Sequence, residues 1–536
     1  MQKSIILILV LVALGGILCF YNLGGWDLWN ADEPRHAQIA KEMLQGEGWI
    51  IPHLNGEVYP NKPPLFFWLI AVTAQAVGGM SEFAARFPSA LCGVLTLLLL
   101  FFLGKRLFGE KTAFLAALIL ATNVAFLWLA RKANTDATLT LFTTAAITFF
   151  YVGFYQQRGR WLFYLLAYCA MALGVLTKTQ IGVVVPIVVV GGYFLLQREM
   201  RFFNDPSHIP GIALFVAFIG GWLSLTYLSG GGEYLQGLLS QQAVSTLFTT
   251  TSQSRPWYYY VVNFPAGFIP WIIFLPSALI YGFSTKDSKR EFIFIFFWFV
   301  VTFAFFSLAQ SKHEPSLLPL YPPAALMVGL LLKAFPLGAE GAKNRIVSIP
   351  LIVLIIVLAL AAISLLIVAA SKGNYYLEHP WEIGLVSAFI MGGGSFFSFF
   401  THHHRSRELP FYVLVAIVCA LTLYGAARIV PEINTYKSPR PFSQTIVSSM
   451  KPGDQLGIYQ LEGANFMYYT GYNQMIWLEK EEELKAFLSS PKRVLCIMQE
   501  RQYKQRAEDP SLSLFLIATG RVEQERLVVI SNHQVP

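Results

Sequence analysis

The sequence predicts an α-helical polytopic membrane protein with about thirteen transmembrane helices and a small α/β domain at its C-terminal end. Three observations predict it. The 536 residues are 55% hydrophobic and 15% aromatic but only 13% charged, well beyond the apolar share of a soluble domain. The apolar residues fall in runs long enough for helices of about 20 residues, which pair their own backbone groups inside hydrocarbon. Basic residues gather in alternate short loops, as topology signals do. A two-residue alternation of the kind that marks a β-barrel is absent.

Residues 5–21 form the first run, behind Lys3. The large Leu18 precedes Cys19 and no small-x-small cleavage pattern follows, so the run reads as a retained span with its N-terminus inside. The stretch 66–77 is apolar but short and follows Pro63 and Pro64. Lys105, Arg106 and Lys111 mark one inner loop, and Arg158 and Arg160 the next. Counting back, 83–103 enters from outside, so 66–77 is expected to lie in the interface without crossing. Further spans are expected at 112–131, 137–155, 162–177, 180–197, 209–229, 257–283, 290–309, 316–335, 346–371, 383–400 and 409–429. Arg198 with Arg201, Lys286 with Lys289 and Arg290, Lys343 with Arg345, and Arg405 with Arg407 then fall in the remaining inner loops.

The opposite face receives the less usual residues. It holds a first loop at 22–82 with interfacial helices, then Arg131, Lys132, Asp136 and Lys178, a second large loop at 230–256, the turn 311–315, and 372–382. After a transmembrane domain at 1–429, composition turns mixed polar. Strand-like runs at 455–461, 493–498 and 526–531 and a helical pattern at 479–488 predict an outer α/β domain over 430–536.

Composition also excludes. The net charge of +8 sits in loops rather than on one face, so no nucleic acid partner is expected. Cys19, Cys92, Cys169, Cys419 and Cys496 are scattered without metal-ligand spacing and read as apolar packing residues. His402 to His404 beside Arg405 read as a solvated turn.

Trp26 to Pro64 crowds charge into an otherwise apolar chain. Asp32 and Glu33 precede Pro34 and suit the first turn of a helix, and Ala37, Ala40, Met43 and Leu44 give that helix a face to lay on a membrane. That reading accounts for one acid and leaves Arg35, His36 and Lys62 unexplained. Lys62 lies between Asn61 and two prolines, where it either snorkels to headgroups or contacts a lipid-linked phosphate. Asp136 either caps a span or serves as a second acid. Arg35, Lys62, Lys132, Lys178, Arg255 and Lys312 all map to the outer surface. Carboxylates that take an acceptor proton, beside cations that stabilise a departing phosphate, are a device for group transfer. A carrier of lipid-linked sugars would instead place ionisable residues at mid-membrane.

W-N-A-D-E-P-R-H-A-Q-I-A-K-E-M-L followed by I-P-H-L-N-G-E-V-Y-P-N-K-P-P-L resembles the first periplasmic loop of the bacterial aminoarabinose transferases and their relatives in the protein mannosyltransferase superfamily. The T-D-A turn at Asp136, L-T-K at Leu176 to Lys178, R-P-W-Y-Y-Y at Arg255 to Tyr260, and S-K-x-x-x-x-L-L-P at Ser311 to Pro319 extend the likeness. The resemblance implies a GT-C glycosyltransferase of the inner membrane that takes a sugar from undecaprenyl phosphate to a lipid or glycan acceptor, inverting the anomeric centre. It matches Asp32 to an acid that activates or orients the acceptor, and Asp136 to a second catalytic acid. Arg35 and Lys62 match contacts to the lipid phosphate, and Glu33, Lys178, Arg255 and Lys312 are read as further substrate contacts. Transfer to protein Ser/Thr is the alternative within the class. Asn61 and Gln242 stand where the family usually has Glu and His, a pair suited to a metal, so no metal cofactor is expected. His313, Glu314 and Ser316 also depart from the family's S-K-L-P pattern.

Overall fold

The apolar runs become helices because nothing in them offers the backbone another partner. In the computed structural model, which describes residues 2–46, 48–242, 255–309, 312–334, 342–371, 377–403, 408–461, 463–507, 512 and 514–533, ten helices are long and apolar enough to cross a membrane, or up to twelve if each of two bent pairs is one span. The run expected at 180–197 is the 16-residue helix Ile181–Leu196, shorter than those ten. Leu65–Ala76 has only 12 residues. Ser311, Lys372, His404, Arg405, Arg407 and residues 243–254 of the second large loop lie outside the described residues.

Two expected spans are broken, not continuous. Glu110–Ala121 and Val124–Ala130 meet at 67°, and Tyr259–Gly267 and Trp271–Ser284 at 108°. Asn123 causes the first break, because its Oδ1 caps the new helix by accepting from Phe126 N at 2.7 Å. Pro265 and Pro270 flank the second and cannot donate to a helix. The freed groups satisfy one another: Asn123 Nδ2 donates to Gly267 O at 3.0 Å and Val124 N to Ile269 O at 3.1 Å. Trp271 Nε1 donates to Thr122 Oγ1 at 3.1 Å. Hydropathy saw two apolar runs and could not see that each supplies the other's partners.

Arg131, expected as an outer charge, is instead 4% exposed and closes the end of the first helix. Its guanidinium donates to Leu18 O at 2.6 Å and Tyr21 O at 2.8 Å, and the fully buried Arg86 donates to Leu23 O at 3.1 Å. A cation suits the negative end of a helix, and it satisfies carbonyls that have no intrahelical donor. Arg131→Ala is therefore expected to cost about 3 kcal/mol, the scale of buried charge-assisted bonds, read as a lower unfolding midpoint by tryptophan fluorescence in detergent. An unchanged midpoint would remove Arg131 as the cap.

The chain divides into two compact units, Met1–Leu23 with Pro60–Leu69 and Arg86–Ala427, and Gly24–Tyr59 with Ile70–Ala85 and Arg428–Pro536. In the second unit, strands β1 (Gln455–Tyr459), β2 (Ile476–Leu478), β3 (Val494–Gln499), β4 (Phe515–Val522) and β5 (Glu525–Ser531) form one sheet in the order β2-β1-β3-β5-β4. β1 runs parallel to β2 and β3, and β5 antiparallel to β3 and β4. The central β3 is apolar throughout because both of its faces are covered: Leu495 and Ile497 enter one core, Val494, Cys496 and Met498 the other.

The same unit takes up most of the first loop, within Gly24–Tyr59 and Ile70–Ala85, while Pro60–Leu69 belongs to the first unit. The Asp32–Leu44 helix forms, but in place of the expected membrane-facing stripe nearly every residue except Asp32 is covered. It packs beside the Ala464–Thr470 helix. Polar residues on its inner side are paired, Gln38 Nε2 to Glu42 Oε1 at 2.9 Å and Asn473 Oδ1 at 3.0 Å. The turn at Asn55 is held by two bonds to Met475, 2.7 Å from Nδ2 and 2.8 Å to Oδ1. Asp27 takes Arg440 Nε at 2.9 Å and Ser438 Oγ at 2.6 Å.

Candidate functional site

In the first unit, charged residues expected in the outer loops meet at helix ends. Asn134 caps the helix Thr135–Tyr155, its Oδ1 accepting from Asp136 N at 3.0 Å and Ala137 N at 3.3 Å. The capping role weighed for Asp136 thus belongs to its neighbour, which leaves the Asp136 carboxylate free for Lys178 Nζ at 2.7 Å. Asp136 lies in the first turn of its helix and Lys178 in the last turn of Arg160–Lys178, so each charge also complements its helix dipole. The two side chains are 9% and 20% exposed. Thr179 follows with φ of 42°, a costly value for a β-branched residue. The turn stays that tight because Gly182 lies directly against Gly174, where any Cβ would strike backbone.

A second cluster adjoins this pair. Tyr260, 1% exposed, donates its hydroxyl to His313 O at 3.1 Å and accepts from His313 N at 3.0 Å. Asp136 lies within electrostatic reach of that phenol, so the broken Tyr259–Ser284 segment and the turn at His313 border the ion pair. Glu314 and Arg255 both act on the neighbouring Tyr259. Lys312, expected at the surface, is 5% exposed, and its ammonium donates to Arg255 O at 3.0 Å and to Ala309 O. It braces the residue that carries the exposed guanidinium.

Lys62 is held through its backbone. Its carbonyl accepts from the hydroxyl of the buried Tyr234 at 3.0 Å, and Gly237, on the same Gly232–Gln242 helix, lies so close to Pro60 that a Cβ would strike the ring. The sequence does not single out Tyr234. Nothing in the loop composition distinguishes a tyrosine that positions a lysine from one that anchors at an interface.

In the second unit, Asp32 opens its helix with its side chain 62% exposed and pairs with Arg35 Nη1 at 2.8 Å. Glu33, 3% exposed, turns inward and accepts from Trp29 N at 3.2 Å. The adjacent acids therefore part company: one faces out, the other closes the helix start, where Ala31 offers no side-chain cap. Asn30, at φ of 58°, and Ala31 line a cavity of about 280 Å³ with Lys437, Pro439, Asn465 and Glu523.

Asn61 is exposed, and the side chain of Gln242 lies outside the described residues. Among the described residues no group of three or more His, Cys, Asp or Glu could hold a metal ion.

Comparison with known proteins adds to this geometry. Residues 61–224 match the family model of dolichyl-phosphate-mannose-protein mannosyltransferases. An uncharacterised protein of Aquifex aeolicus is 31% identical over 366 residues, 68% of this chain and 70% of that protein. The undecaprenyl phosphate-alpha-4-amino-4-deoxy-L-arabinose arabinosyl transferase of Edwardsiella ictaluri is 26% identical over 484 residues, 88% of this chain and 85% of the relative. The crystal structure of ArnT from Cupriavidus metallidurans bound to undecaprenyl phosphate superposes with a TM-score of 0.81, covering 98% of this chain and 99% of that one at 19% identity. At that identity the likeness is one of fold.

Proposed function

The chain belongs to the aminoarabinose transferase-like glycosyltransferases of the protein mannosyltransferase superfamily, and from that membership we propose that it moves a sugar from undecaprenyl phosphate to lipid A or another envelope glycolipid. It is a multi-pass protein of the inner membrane, working with a lipid-linked donor. The observation that carries the reading is the match to a transferase of that donor class across 88% of the chain. The N-terminus lies in the cytoplasm, and residues 430–536 together with the loops 22–82 and 230–256 lie in the periplasm, on the side opposite the basic loops.

In this reading the acceptor oxygen attacks the anomeric carbon from the face opposite the phosphate. The new C–O bond forms as the old one breaks, and the electron pair leaves on the phosphate oxygen. Asp32 takes or orients the acceptor proton, and Asp136 is the second acid. Arg35, Lys62, Lys178 and Arg255 stabilise the phosphate charge as it grows. Lys312 holds Arg255, and Glu33 holds the turn that presents Asp32.

The test uses purified full-length protein in lipid vesicles with a panel of undecaprenyl-phosphate sugars and extracted envelope acceptors, with and without chelator. Release of undecaprenyl phosphate in step with a glycosylated product is expected, equally in both conditions. Movement of donor lipid between leaflets with no product from any donor would replace the transferase with a carrier.

A further inference from the structure

The second unit holds another cavity, of about 320 Å³, bordered by Lys41, Ser81, Gln444, Arg440, Tyr468 and Tyr469. Its two cations are in different states. Arg440 is already neutralised, by Asp27 at 2.9 Å and by Glu82, and lies 5.0 Å over the Tyr469 ring. Lys41 has no hydrogen bond or ion pair among the described residues, its ammonium lying 5.9 Å from the centre of the Tyr468 ring. Burial holds it below the usual lysine range, outweighing the opposing charge of Glu42, the sign of a cation that has given up water without gaining a direct counter-ion. Such a group is stabilised by an incoming anion more than a solvated lysine would be. The rest of the lining offers the Ser81 hydroxyl, the Gln444 amide and tyrosine ring faces, which suit a sugar ring, beside Met80 and the Glu82 carboxylate, which is held by Arg440 and by the Tyr469 hydroxyl at 3.3 Å. The volume is that of a small-molecule site.

We propose that this cavity binds an anionic saccharide, with Lys41 on the phosphate or carboxylate and Tyr468 against the ring. On the transferase reading, on which only this part depends, it holds part of the acceptor's glycan.

The test titrates glucose 6-phosphate, glucuronate and glucose into the full-length protein in nanodiscs, read by saturation-transfer NMR. At least one anionic sugar is expected to bind about tenfold more tightly than glucose, on the scale of one charge-assisted bond. Which one wins tells phosphate from carboxylate. Lys41→Gln should abolish the preference, Lys41→Arg retain it, and Tyr468→Ala weaken all three sugars. Lys451→Gln, exposed on the same unit, should change nothing. Equal binding of all three sugars, or a preference that survives Lys41→Gln, overturns the proposal. In the transfer assay Lys41→Gln should raise the acceptor KM and leave kcat in place. Binding that depends on Lys41 in a protein that transfers nothing would sink the transferase and keep the site. Transfer with an unchanged acceptor KM would do the reverse.

Discussion

Asp32→Asn is expected to lower kcat by about 10²–10⁴-fold, the range of a positioned general base, while leaving the unfolding midpoint nearly unmoved. Both halves of the expectation come from the geometry. The side chain is 62% exposed, and its ion pair with Arg35 at 2.8 Å spans a single helical turn. Such a surface pair contributes about 0–1 kcal/mol, too little to account for an acid kept at the start of an otherwise buried helix. If Asp32 merely favours the helix dipole, the substitution costs a fraction of a kilocalorie and no activity. Undecaprenyl phosphate release, measured beside a thermal melt, separates the two. A kcat within about twofold of wild type would take Asp32 out of the chemistry.

The Asp136–Lys178 pair should behave in the opposite way. With side chains 9% and 20% exposed and 2.7 Å apart, it is desolvated enough that removing one partner strands the other. Asp136→Ala or Lys178→Ala is each expected to cost about 3–5 kcal/mol. The double variant, Asp136→Leu with Lys178→Met, should return most of the stability, since an apolar pair of similar volume replaces a buried ionic one at little cost. Activity should not return, because neither a second acid nor a cation for the phosphate is restored. A stable and active double variant would make the pair a structural strut. An additive loss of stability would mean that the two charges are not coupled.

Glu33 and Lys312 show where residue type stops short of role. Beside Asp32 in sequence, Glu33 is read as a substrate contact, yet its carboxylate accepts from Trp29 N. Lys312, in the S-K turn, is likewise read as a substrate contact, yet its ammonium lies on the Arg255 and Ala309 carbonyls. Both are buried, at 3% and 5% exposure, and sequence spacing has no term for that. Arg131 is the same case at larger scale, a charge counted as outer that is spent on the carbonyls of the first helix.

The amino-acid sequence by itself determined the class of the protein, the order of its apolar helices, and the places of the strands β1, β3 and β5 to within a residue or two. Hydropathy and periodicity are local properties, and a backbone in hydrocarbon has no choice but to pair with itself. It also determined which charged residue types the outer loops carry, because ions are too costly elsewhere in such a chain. Only the tertiary structure decided that two spans break and complete one another at Asn123 and Gly267. It alone placed the Asp32–Leu44 helix in the unit of the C-terminal sheet, and it alone separated Asp136, paired with Lys178, from Asn134, which caps. Each of those outcomes depends on a partner from a distant part of the chain, and a hydrogen bond or an ion pair is a property of two groups at a distance that neither one's sequence neighbourhood encodes.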